Sequence, residues 1–136
     1  MKLLIDTNVL LDLIFKRSGY DNSIKLFKKI REKEIISYIT ASSVTDLFYI
    51  IRKETKDLNR TYTILENIFY LVTVISVTEQ DIQDAFKQKW RDFEDCVQYT
   101  TGFNNRVDYL ITLNKKDYED SSIPIITPGE WLEINA

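Results

Sequence analysis

Acidic or amide side chains stand at four places where an apolar run should give way to a helix. Asp6 closes the run Leu3-Leu4-Ile5, and Asp46 lies about one turn into a helix opened by Ala41-Ser42-Ser43. Asp92 and Asp95 begin the segment Asp92-Phe93-Glu94-Asp95, where i, i+3 spacing puts both on one helix face. Asn114 and Asp117 follow the run Tyr109-Leu110-Ile111-Thr112. Each has a structural alternative, because Asp and Asn are favoured N-caps and acids in a first turn interact well with the helix dipole. Asp6, Thr7 or Asn8 would serve as a cap in just this way. Gathered at one edge of a parallel sheet, however, ionised carboxylates repel each other unless a cation sits among them. Oxygen donors select a hard cation such as Mg²⁺ or Mn²⁺. Such a site lowers the pKa of bound water and steadies charge on a phosphodiester during in-line hydrolysis.

Composition removes most other chemistries. The chain has no histidine, so the commonest general base, the Ser-His and Cys-His nucleophile pairs and imidazole metal ligands are excluded. The single cysteine, Cys96, allows neither an internal disulfide nor a thiolate zinc cluster and reads as a small core residue. Net charge is −3 and the pI about 5.0, so nucleic acid would not be held by bulk electrostatics. Basic residues gather locally at Lys87, Lys89 and Arg91, at Arg106, and at Lys115 and Lys116. Such clusters are ordinarily solvated surface. At 136 residues and 44% hydrophobic, the chain fits one domain, residues 1–136, with a proper core. No apolar run approaches the ~20 residues of a bilayer span, and the start lacks a leader pattern, which predicts a cytoplasmic protein without membrane contact.

The elements that must carry these acids alternate. Apolar or β-branched runs recur at Leu3–Ile5, Ile35–Thr40, Leu71–Val77, Tyr109–Thr112 and Ile123–Ile126, with helix-length segments between most of them. This predicts a three-layer α/β/α sandwich with a central, mainly parallel sheet of four or five strands. Leu3-Leu4-Ile5 does not alternate with polar residues, as expected of an interior strand covered on both faces. Helical spacing predicts core faces at Ile24, Phe27 and Ile30, at Val44, Leu47, Phe48 and Ile51, at Leu58, Tyr62, Leu65 and Phe69, and at Ile82, Phe86 and Trp90. Thr127-Pro128-Gly129-Glu130 has the pattern of a capping box with proline at the first helical position, introducing Trp131 and Leu132. Phe48, Tyr49 and Ile50 are too many apolar residues in a row for one core face. They point either to a partner surface or to a helix lying between two layers.

The order Asp6-Thr7-Asn8-Val9-Leu10-Leu11-Asp12, an acid after the second strand, Asp92-Phe93-Glu94-Asp95, and Tyr109-Leu110-Ile111-Thr112-Leu113-Asn114-Lys115-Lys116-Asp117-Tyr118 resembles a PIN domain. The resemblance covers essentially the whole chain and is strongest to small bacterial members, including VapC-like toxins of type II toxin–antitoxin pairs. It implies a metal-dependent ribonuclease with Mg²⁺ or Mn²⁺ held by three or four acids. Asp6 matches the first acid and Asp95 the third, both as metal ligands. Asp46 falls at the second, where the family most often has glutamate. Asn114 stands at the fourth, where aspartate is frequent; its carbonyl can coordinate but brings no charge, and Asp117 or Asp92 could compensate. The implied mechanism is attack by a water activated at the Asp6, Asp46 and Asp95 cluster on an RNA phosphate held by Lys115, Lys116 or Arg106. Homodimerisation and a cognate antitoxin covering the acidic pocket are also implied. The alternative is a PIN-like scaffold that binds RNA or protein without cutting. A receiver-like phosphoacceptor would need an aspartate ending the third strand, which Leu71–Val77 lacks. A haloacid-dehalogenase-type phosphatase would need a second acid where this chain has Asn8.

Overall fold

The computed structural model describes residues 1–118 and 120–136. Strands β1 (Lys2–Ile5), β2 (Ile36–Thr40), β3 (Thr73–Ile75), β4 (Tyr109–Ile111) and β5 (Ile125–Ile126) form one sheet in the order β3-β2-β1-β4-β5. All four pairings are parallel, with Leu4 opposite Tyr38 on one side and Leu110 on the other. Helices α1 (Thr7–Phe15), α2 (Tyr20–Glu32), α3 (Ala41–Thr55), α4 (Leu58–Leu71), α5 (Glu79–Gln88), α6 (Phe93–Asn104) and α7 (Pro128–Ile134) cover it. The expected mainly parallel α/β sandwich is what the chain forms.

The central strand explains the layering. Leu3, Leu4 and Ile5 are all fully buried, and their side chains alternate between the faces. Leu3 and Ile5 join a large core with residues of α1, α2, α3, α4 and α7, including Leu10, Leu26, Leu47 and Trp131. Leu4 joins a smaller core with Tyr99, Leu110, Tyr118 and Ile123, and Ala85, Cys96 and Val97 extend that layer between α5 and α6. Cys96 is thus the small core residue its composition suggested. Strand order runs outward from β1 in both directions, so the chain reverses between β1 and β4. In open α/β sheets, ligands bind at the carboxyl ends of the strands beside such a switch point.

Several helical faces differ from expectation. Leu58, Tyr62, Phe69, Ile82 and Phe86 have the spacing of core residues but are exposed, Phe86 to 63%. The cause is the size of the second layer. The buried side of α5 is carried by Asp81 and Ala85, with Asp81 in a capping box with Thr78 and accepting from Asn104 Nδ2 at 2.7 Å. The buried side of α4 needs only Thr61, Leu65 and Ile68, leaving Tyr62 to pack against Phe48 at 5.2 Å between ring centroids. Trp90 falls beyond α5 and stacks on Tyr99. Tyr49 is exposed while Phe48 and Ile50 are half-buried. The capping box at Thr127 forms as its sequence indicates and seats Trp131 fully inside. Among the described residues, no helix is long and apolar enough to cross a membrane.

Candidate metal centre

Asp6 continues the β1 ladder by donating its N–H to the Ile111 carbonyl at 2.9 Å, which sets it at the switch point beside β4. It occupies the N-cap position of α1, yet its side chain makes no capping bond. Instead the carboxylate turns inward, 6% exposed, where Oδ2 accepts from Thr112 Oγ1 at 2.8 Å and Oδ1 from Thr7 Oγ1 at 3.3 Å. Capping therefore does not account for this aspartate. Thr112 is itself held, since its Oγ1 accepts from the Asn114 N–H at 3.1 Å. At the start of α6 the work is divided differently. Asp92 is the N-cap and accepts from the Asp95 N–H at 3.0 Å, so the Asp95 side chain is left for other partners. Asp46, exposed on α3, completes the set. Asp6, Asp46 and Asp95 line one cleft of about 360 Å³, together with Ser43, Ile82, Phe93, Glu94 and Gln98.

Electrostatics at the cleft are those of crowded acids. Burial, and then the negative charges of Asp92, Asp6, Asp117 and Glu94, push the Asp95 carboxyl up to about 7. The Tyr118 phenol is held far above its usual range by burial, by the charges of Asp6 and Asp95, and by a hydrogen bond with Asp6; the Gln98 amide acts in the opposite sense. A divalent cation would relieve the repulsion, and the donor set is entirely oxygen, so in type and charge it fits Mg²⁺ or Mn²⁺. Among the described residues, no three acids are already closed around one cation position. The exposed Asp46 has the rotamer freedom to complete such a ring.

Other residues singled out by sequence fall in different places. Asp92 is a cap whose charge still reaches Asp95, as does that of Asp117 in the 3-10 turn Lys115–Asp117. Asn114 precedes that turn with an exposed side chain that makes no capping bond. Lys116 is exposed on the same turn, and Lys115 pairs with Glu130 at 3.1 Å. Because the strands are parallel, Arg106, which precedes β4 in the chain, stands at the opposite edge of the sheet from Asp6. Sequence reasoning overlooked Glu94, Ser43, Gln98, Thr112 and Tyr118. For Gln98 a signal existed: it follows Asp95 at i+3, a polar residue on a helix otherwise buried along Cys96, Val97 and Tyr99.

A family model described as PIN domain matches residues 2–116. Comparison with curated proteins finds no match. Among solved structures, the VapBC2 complex of Rickettsia felis bound to a promoter DNA fragment contains a chain with TM-score 0.73 and 14% identity, covering 92% of this chain and 97% of its own. A toxin–antitoxin complex from Klebsiella pneumoniae gives TM-score 0.63 and 26% identity over 93% and 97%. A Mycobacterium tuberculosis toxin described as cleaving the sarcin–ricin loop gives 0.67 and 11% over 85% and 92%. The family model runs through every strand but β5 and through all three acids that line the cleft, and on that ground the chain belongs to the PIN-domain family.

Proposed function

We propose that this protein is a Mg²⁺- or Mn²⁺-dependent endoribonuclease and the toxin of a type II toxin–antitoxin pair. The observation that carries the reading is the meeting of Asp6 from β1, Asp46 from α3 and Asp95 from α6 in one cleft, with Asp95 pushed up to about 7. Asp6 and Asp95 would hold the cation and Asp46 would complete its shell, with Asn114 and Asp117 in reserve. When bound, the cation supplies a Lewis acid that lowers the pKa of water and offsets charge on the scissile phosphate. The protein's own share is orientation: Thr112 and Thr7 hold Asp6, and Asp92 caps α6 so that Asp95 faces the cleft. Lys116, and Lys115 once released from Glu130, stand at the same edge to meet RNA phosphates.

Family membership supports nuclease chemistry. The neighbours solved as VapBC or toxin–antitoxin complexes support a cognate antitoxin, and the exposed Tyr49 and Tyr62 on α3 and α4 suit a homodimer surface. A cytoplasmic site of action follows from an RNA target. The test is cleavage of transfer, ribosomal and messenger RNA in Mn²⁺ and in EDTA, beside Asp95→Asn. Cleavage that needs both the metal and Asp95 is expected. A folded parent that cuts nothing and shows no Mn²⁺-induced rise in Tm would point to a non-cleaving scaffold.

A further inference from the structure

A line of buried polar side chains crosses the carboxyl edge of the sheet and ends on Asp6. Ser43 Oγ donates to Gln98 Oε1 at 2.9 Å, and Gln98 Nε2 donates to the Tyr118 hydroxyl. Thr40 Oγ1 lies 2.9 Å from Ser43 Oγ and 2.8 Å from Ser42 Oγ. Ser43, Gln98 and Tyr118 are each at most 5% exposed. The line has a direction. Ser43 has one hydrogen and gives it to Gln98, so its oxygen must accept from Thr40, which in turn accepts from Ser42. Ser43 also fixes the amide with its oxygen toward α3 and its NH₂ toward Tyr118. The phenol oxygen accepts from that NH₂, which leaves the phenolic hydrogen for the carboxylate on its other side, Asp6. The reversed amide would draw that hydrogen to Gln98 and away from Asp6. Every hydrogen in the line therefore points the same way, an arrangement in which successive bonds strengthen one another.

We infer that Tyr118, oriented by Ser43 through Gln98, is a positioning residue that fixes the Asp6 carboxylate from the side opposite Thr112. The inference rests on the metal-centre reading above. Three short contacts, from Thr112, Thr7 and Tyr118, would leave Asp6 one orientation toward the cleft instead of several. Partners of this kind behind a metal ligand are worth about 10–100-fold in metal affinity.

The test has two arms. In EDTA, Tm is measured for the parent, Tyr118→Phe, Asp6→Asn and the double variant. Non-additive shifts are expected, because each single change breaks the same bond; additive shifts would overturn the inference whatever the metal does. In the second arm, the midpoint of the Mn²⁺-induced rise in Tm is compared for the parent, Tyr118→Phe and Ser43→Ala. An increase of about 10–100-fold is expected for Tyr118→Phe, and a smaller one for Ser43→Ala, which keeps the phenol but frees the amide to turn. Unchanged midpoints in both variants would overturn the inference. Should Tyr118→Phe fail to fold, Ser43→Ala decides alone. Coupling in EDTA combined with no Mn²⁺ response in the parent would sink the metal reading, and the role toward metal with it.

Discussion

Asp6 and Asp95 reach the same cleft in opposite ways, one embraced by hydroxyl donors and the other pressed by like charge. For Asp95 the consequence is a pH dependence with a definite sign. Its carboxyl rises from an ordinary value of 3.8 to about 7 on folding, so the native protein holds the proton more tightly than the unfolded chain. In EDTA this group favours the fold fully below about 4, and that contribution is lost as pH rises through about 7. Cation binding must displace the same proton. The Mn²⁺ midpoint should therefore fall about tenfold per pH unit on approaching 7 and level off above it. Calorimetric titration between pH 5.5 and 8.5 measures this, and a flat profile would remove Asp95 from the ligand set. Asp95→Asn should abolish the slope. Asp6→Asn or Asp95→Asn should also slow RNA cleavage at least about a hundredfold, because even residues behind the ligands carry up to that much.

Between elements, close approach decides which residues are tolerated. Gly19 is the N-cap of α2 with φ −89, a conformation open to any residue, so space and not backbone freedom demands glycine there. A Cβ at Gly19 would stand 2.0 Å from Asp12 Oδ2, and Asp12 is buried at the end of α1 with that oxygen unpartnered among the described residues. Gly19→Ala should cost about 1–3 kcal/mol, as overpacking does. In an Asp12→Ala background the loss should largely vanish. Urea denaturation of the four-member cycle measures it, and equal losses in both backgrounds would mean that the carboxylate is not what Gly19 avoids. Nothing local in Leu11-Asp12-Leu13 announces this contact. The strands, the helix order and the two capping residues Asp92 and Thr127 were legible because their signals lie within a few neighbouring residues. Asp6, Asp46 and Asp95 were legible because each sits just past a strand end or at a helix start. Gln98 and Tyr118 acquire meaning only through bonds that span 55 and 20 residues, which no local pattern encodes. Ile82 and Phe86 misled for a related reason. Helical period tells that residues share a face, but not whether that face meets a core; Ile82 meets the cleft instead.

For the molecule as a whole, the two layers are unequal and the site straddles them. Among the described residues the main core holds 16 buried side chains, against 6 and 3 for the two clusters on the other face. Apolar burial dominates local stability, so the layer formed by α5 and α6 should open at lower free energy than the one containing α2 and α7. That thinner layer carries Asp95 and Gln98, whereas Asp6 stands on the central strand and Asp46 on α3, which packs into the main core. A cation gripped by all three acids would fasten α6 to the rest of the protein, and opening α6 would then require its release. Amides of α6 should accordingly exchange faster in EDTA than those of α2. They should slow by up to about a hundredfold when Mn²⁺ is present at about a hundred times its Kd, while α2 and α7 change little. Hydrogen exchange followed by mass spectrometry reads this segment by segment. Protection confined to the loop after β4 would place the ion at Asn114 and Asp117, away from α6. Protection spread evenly over the chain would mean that the layers already open together, and that the acids do not bridge a weaker unit to a stronger one.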